Sequence, residues 1–121
     1  MSKDLKILVK RVGEKASIET IKDTLEAKQK IVNGLIEAVS FNDDVLLICN
    51  EEGKIYNMPP NLIFDNDIIA GDCFFVGDDY KNSGFKSLTN EQIKEIEEVI
   101  KDKSVYYSPL NLEKNIDEKE R

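Results

Sequence analysis

The sequence predicts an α+β domain: a mainly antiparallel sheet of about five strands with two helices packed on one face. Three observations lead there. Two apolar runs, Val45 to Cys49 and Ile68 to Val76, have the length of buried strands and are separated by polar turn chemistry. Leu5, Ile7 and Val9 alternate with Lys6 and Lys10, the period-2 pattern of a half-buried strand. Thr89-Asn90-Glu91-Gln92 is a full capping box ahead of Ile93, Ile96, Val99 and Ile100, an apolar stripe at helical spacing.

Taken in order, the first strand runs from about Leu5 to Val12 and turns at Gly13-Glu14-Lys15. Ser17 to Ile21, rich in β-branched residues, returns beside it as a hairpin. Asp23 or Thr24 caps a helix carrying Leu25, Lys28, Ile31 and Val32 on one side, and Gly34 is placed to end it. Leu35 to Phe41 is the next strand, Asn42-Asp43-Asp44 a turn, and Val45 to Asn50 the central strand. Glu51 to Lys54 is read as a tight turn into a short strand, Ile55 to Met58, which Pro59-Pro60 stops because neither residue donates a backbone hydrogen bond. Asn61 to Asn66 is then a loop. Ile68 to Val76 is a last strand pair or one strand bent at Gly71, closed by Gly77-Asp78-Asp79, and Tyr80 to Lys86 is a mobile surface loop. The helix capped by Thr89 reaches about Asp102.

These elements make residues 1–103 a single domain. Residues 104–121 form a C-terminal arm around Val105-Tyr106-Tyr107, Leu110 and Leu112, followed by a charged tail expected to fray. The arm from Val105 to Leu112 is the expected contact of a homo-oligomer.

Composition narrows the function classes. At 121 residues with 40% hydrophobic and 34% charged content, the chain has enough apolar material for a core and is not a disordered polyelectrolyte. No apolar run approaches the ~20 residues that cross a bilayer, and Met1-Ser2-Lys3-Asp4 opens no secretion signal, so a cytoplasmic protein without membrane contact is expected. Histidine is absent, which removes the usual general base near neutral pH, the Ser-His and Cys-His pairs and most zinc sites. The net charge of −7 divides as +3 over residues 1–30, −10 over 31–100 and zero over 101–121. An acidic middle repels phosphate backbones, so direct nucleic-acid binding is not expected.

Candidate chemistry is sparse, and each candidate has a plainer reading. The Asn50-Glu51-Glu52-Gly53-Lys54 turn and the Asn57 to Asn61 segment gather amides, carboxylates and a lysine that suit a small polar ligand, or are simply hairpin chemistry. Lys10 and Arg11, in the only basic third of the chain, suit phosphate, or are solvated charges on an outer face. Tyr56, Tyr80, Tyr106 and Tyr107 suit base stacking, or packing. Asp72, Asp78 and Asp79 suit a divalent cation, or strand ends in solvent. Cys49 and Cys73 stand 24 residues apart without CxxC spacing and read as small core hydrophobes. The ligand-binding candidates are Lys10, Arg11, Asn50, Glu51, Asn57 and Asn61. No catalytic residue, metal ligand or cofactor is assigned, and enzymatic activity is not expected.

At Ile36 to Val39, Val45 to Lys54, Pro59-Pro60-Asn61, Ile69-Ala70-Gly71 and Phe75 to Asp79, the chain resembles the domain of unknown function 3846 family. The resemblance runs from about Leu5 to Ile100 and takes in Thr24-Leu25 and Ser87-Leu88-Thr89. It departs from the family pattern at Leu62, where a basic residue is expected, and at Asp72, where a small uncharged one is. Members are small proteins of phages, plasmids and integrated elements, which implies an accessory protein acting against host defence. Two mechanisms follow from that setting: sequestering a small nucleotide-like immune signal, or docking an acidic surface on a host defence protein as an inhibitor, as a nucleic-acid mimic does.

Overall fold

The computed structural model describes residues 3–64 and 66–104. The chain folds in the order β1 (Asp4–Lys10), β2 (Ser17–Lys22), α1 (Leu25–Val32), β3 (Ile36–Ser40), β4 (Val45–Asn50), β5 (Pro60–Phe64), β6 (Asp67–Ala70), β7 (Cys73–Asp79), β8 (Gly84–Lys86) and α2 (Asn90–Ile100). The main sheet has the order β2-β1-β7-β4-β3, with every pairing antiparallel. Its middle strand β7 pairs β1 through Cys73 to Phe75 and the short β8 through Gly77 to Asp79. The expected central strand, β4, lies one place from the middle.

The α+β class and the antiparallel sheet with two helices stand. The two helices lie on opposite faces rather than together on one. Alternate residues divide the core: Leu5, Ile7, Val9, Ile48, Phe74 and Val76 pack with Val32 of α1, whereas Leu8, Val45, Leu47, Cys49, Cys73 and Phe75 pack with Ile93, Ile96 and Ile100 of α2. Strands apolar on both faces need cover on both faces, so the unbroken runs of β4 and β7 demand two layers of helix.

Three connecting segments also differ from expectation. Ile55 to Met58 is not a strand; residues 51–57 are one wound turn closed by bonds such as Tyr56 N–H to Glu52 O at 3.0 Å and Met58 N–H to Gly53 O at 2.9 Å. Asn61 to Asn66 is not a loop: β5 and β6 form a second, two-stranded sheet, turned where Asn66 takes φ 61°. Proline fits there because Pro60 is the first residue of its strand, where a missing N–H costs no ladder bond. Tyr80 to Lys86 comprises a 3₁₀ turn, Tyr80–Asn82, and β8 rather than a loop throughout.

The small hairpin lies on the α2 side, with Leu62 and Ile69 buried in that cluster. Phe41 links the layers, stacked on Phe64 with centroids 5.4 Å apart and edge-on to Phe75 at 5.1 Å. Past α2, Ile63 N–H bonds Lys103 O at 2.9 Å, tying the end of the described chain to β5. Gly71 carries the chain from the hairpin into the main sheet at φ 83°, and a β-carbon there would lie 2.8 Å from Met58 Sδ. The expected arm from Val105 to Leu112 and its tail fall outside the described residues.

Candidate functional site

Two regions hold the predicted site residues. The first is a junction where β1, β5 and the Gly71 bend meet. Lys10 ends β1 with its side chain 1% exposed, because alternation turns it under the hairpin instead of outward. Its Nζ donates to Asn61 Oδ1 at 2.9 Å and to Arg11 O at 3.0 Å. Asn61, fully buried on β5, donates from Nδ2 to Lys10 O at 2.7 Å and Gly71 O at 2.9 Å. Burial holds the Lys10 ammonium below the usual lysine range, against the opposing pull of nearby Cys73, Asp72 and Glu14. Arg11 turns its side chain away, donating from both terminal nitrogens to Glu19 on β2, at 2.5 and 3.2 Å. That contact raises the arginine and lowers the glutamate relative to their ordinary values. Asp72 accepts from Val12 N–H at 2.9 Å and so closes the end of β1.

The second region is a cleft of about 290 Å³ between the β3–β4 side of the main sheet and the β5–β6 hairpin. Val39, Phe64, Ile68 and Ile69 supply apolar walls, and Glu37, Glu51, Lys54 and Asp67 the polar groups. The wound turn 51–57 forms one lip; Gly53 permits it, since a β-carbon there would lie 2.9 Å from Ala70 O. Lys54 on that lip is ion-paired with Asp67 on the opposite wall, and this bond lowers the Asp67 carboxyl below its ordinary range. Ile55, 74% exposed, stands beside the opening.

Cys49 also lines the cleft although it is only 4% exposed. Its Sγ donates to Oε1 of its cross-strand partner Glu37 at 3.8 Å. Burial, reinforced by Glu37, pushes the thiol up to about 11. It is therefore a neutral thiol near pH 7, not an activated nucleophile.

The six predicted residues do not converge. Lys10 and Asn61 bond each other, and Arg11 is adjacent but paired elsewhere. Asn50 and Glu51 border the cleft, yet the Asn50 amide serves the fold: Nδ2 donates to Val32 O at the end of α1 and Oδ1 accepts from Glu52 N–H. Asn57 is exposed at the end of the turn with φ 56°. Sequence reasoning missed Glu37, Cys49 and Asp67 as site residues. The pairing of Glu37 with Cys49 follows from the β3–β4 register, but the approach of Asp67 to Lys54 depends on how two sheets pack and has no local signal.

Two further concavities differ in charge. One, of about 400 Å³, is lined by Lys10, Lys15 and Lys101 against Glu97, with Ala16 and Ile100. The other gathers Asp43 and Asp44 with Glu95, and Asp78 N–H bonds Asp44 O at 2.9 Å beside it. Among the described residues no group of three or more Cys, Asp or Glu side chains is arranged to hold a metal ion, and no helix is long and apolar enough to cross a membrane.

Neither a curated protein nor a solved structure gives a significant match. The block order noted in the sequence is nevertheless carried on the strands and turns of both sheets, and it has a match at the level of families. Residues 5–101, which include both helices and all eight strands except the first residue of β1, match the family described as Domain of unknown function (DUF3846), and the chain belongs to that family.

Proposed function

We propose that this protein is a non-enzymatic binding protein that captures a small nucleotide-like molecule by its base in the cleft between the two sheets. The observation that carries this reading is the chemistry of that cleft: apolar walls at Val39, Phe64, Ile68 and Ile69, carboxylates at Glu37, Glu51 and Asp67, and a single cation at Lys54. Carboxylates accept the N–H donors of a base edge, and apolar side chains cover its faces. Lys54, on the lip, is the group that meets a phosphate as it leaves the cleft. The neutral Cys49 thiol and the absence of histidine support holding over turnover. A ligand held without turnover is withdrawn from whatever senses it. Sequestration of a nucleotide immune signal, by a phage or mobile-element accessory protein in the host cytoplasm, is the setting this reading fits.

The test is titration calorimetry of the full chain against mono-, di- and cyclic nucleotides, with native mass spectrometry of the protein as purified. Saturable binding that weakens at least about tenfold in Glu37→Gln, with the ligand recovered unchanged, supports the reading. A panel that gives no heat and no retained mass overturns it.

The acidic concavity favours a second reading, an inhibitor docked on a basic protein. Asp43, Asp44 and Glu95 line it, and among the described residues none of them is in an ion pair. A protein partner retained from host lysate at low salt, and lost from Asp43→Lys/Asp44→Lys, supports this alternative.

A further inference from the structure

Cys49 and Cys73 are distant in sequence and adjacent in the sheet. The antiparallel register of β4 and β7 pairs Val45 with Gly77, Leu46 with Val76, Leu47 with Phe75 and Ile48 with Phe74. The pairing runs as far as Ile48 and Phe74, and Cys49 and Cys73 are the residues that follow directly on the two strands. Alternation puts both side chains on the α2 face, and both belong to the same core cluster. Residues directly opposed on antiparallel strands have Cα atoms about 4.5–5.5 Å apart, whichever kind of rung they occupy. Residues that follow directly on such a pair start close to the window of about 4.4–6.8 Å that a disulfide spans. Both cysteines are free.

The two thiols have different surroundings. Cys73 is fully buried, with Sγ 3.6 Å from Asn61 Nδ2 and donating to Lys10 O at 3.7 Å. Cys49 lines the cleft and is the thiol that a small solute reaches first.

We propose that Cys49 and Cys73 are a redox-modification site: a dithiol that closes to an intramolecular disulfide by exchange with a small-molecule disulfide such as oxidised glutathione. The small fraction of Cys49 present as thiolate, its proton given to solvent, attacks one sulfur of the oxidant, so the exchange is slow near pH 7 and speeds up with pH. A mixed disulfide forms on Cys49, and the first half of the oxidant leaves as a thiolate that takes up a proton. Cys73 then loses its proton and attacks Cys49 Sγ, closing the Cys49–Cys73 bond and expelling the second half as a thiol. Two protein thiols are oxidised and one small disulfide is reduced to two thiols. The oxidised state ties β4 to β7 at the floor of the cleft and removes the Sγ–H that Glu37 accepts. The site does not depend on what the cleft binds.

The test uses the full chain equilibrated with mixtures of reduced and oxidised glutathione, once folded and once in enough urea to unfold it, with thiols counted by alkylation and intact mass. Because the fold already holds the two cysteines on neighbouring strands and on one face, the equilibrium constant for the internal disulfide is expected to be at least about tenfold larger in the folded chain. An equal or smaller constant when folded overturns the proposal. So does a folded chain in which the product is a dimer or a stable mixed disulfide. Two variants, each checked for native circular dichroism, assign the order of attack. Cys73→Ala is expected to accumulate the glutathione adduct on Cys49, and Cys49→Ala to stay unmodified while folded; a Cys49→Ala protein that reacts at Cys73 as fast as wild type overturns the assigned order. Should either variant fail to fold, the wild-type equilibrium alone decides.

Discussion

The junction at Lys10 and the cleft at Lys54 each present a lysine beside a polar partner, and they differ in what those groups are free to do. Lys10 is sealed under the hairpin, where Asn61 serves its ammonium and two backbone carbonyls at once. Lys54 and Asp67 meet with side chains 59% and 64% exposed, at the mouth of a concavity with apolar walls. A buried polar group must be fully satisfied to be tolerated, so its bonds are spent on the fold. An exposed pair contributes little to stability and exchanges its partner for water or a ligand at small cost. Polarity in a sequence does not separate these cases; burial does.

The sharpest way to break this contrast is Asn61→Ala. It strips one acceptor from a buried ammonium that keeps Arg11 O, and one donor each from Gly71 O and from Lys10 O, which keeps Cys73 Sγ, so each group loses a partner. At roughly 1–3 kcal/mol for each such group, less what water entry recovers, a loss of about 3 kcal/mol is expected in urea unfolding. Lys10→Met removes the charge along with its need for partners, and is expected to cost less than Asn61→Ala, about 1–2 kcal/mol. A larger loss in the methionine variant would show the ammonium to be a net stabiliser and reverse the argument.

Alkaline titration separates Lys10 from Cys49 by sign. Burial lowers the folded Lys10 value below 10.5, so in that window the unfolded chain binds more protons and stability rises with pH. The Cys49 thiol is raised from 9.0 to about 11, so between those values the folded chain keeps a proton the unfolded chain has lost, and stability falls. Glu37 and Asp67 raise the thiol further and Lys54 opposes them. Unfolding midpoints from pH 8.5 to 10.5 (about the span of those shifts) are therefore expected to decline more steeply in Lys10→Met than in wild type and less steeply in Cys49→Ala. Parallel curves in all three proteins would mean that neither group changes its proton affinity on folding.

How much of this was legible in the sequence follows the same division between local and nonlocal signals. The Thr89 capping box, the β1–β2 hairpin, the Thr24 cap and the Gly71 bend depend on neighbours along the chain, and each forms as its residues require. The runs in β4 and β7 are legible as strands, but their two-sided burial, which places α1 and α2 on opposite faces rather than on the one expected, depends on their central places in the sheet. Ile55 to Met58 carries strand-forming residues without a partner strand, and the wound turn leaves Ile55 and Tyr56 exposed. Pro59-Pro60 signals a stop, yet a proline at the first position of a strand is compatible with pairing, and Pro60 opens β5. For the site, Asn50 and Glu51 were recognisable as turn residues beside a concavity, whereas Glu37, Cys49 and Asp67 acquire meaning only when the small sheet is laid against the large one.

The smallest expected effect on stability tests the cleft directly. Lys54→Met and Asp67→Asn each break the ion pair across the cleft mouth, and both side chains are more than half exposed, so urea midpoints are expected to match wild type within error. The two variants diverge in binding. Lys54→Met leaves Glu37, Glu51 and Asp67 without a cation among them, so an anionic ligand retained by wild type in native mass spectrometry is expected to be lost. Asp67→Asn leaves Lys54 without its carboxylate partner, and is expected to retain the same ligand at least as well. A matched loss of binding in both would mean that the ion pair acts as a unit, holding the turn 51–57 over the cleft, and that Lys54 does not itself meet the ligand. Unchanged binding in both, with Glu37→Gln still defective, would confine recognition to the inner wall formed by β3 and β4.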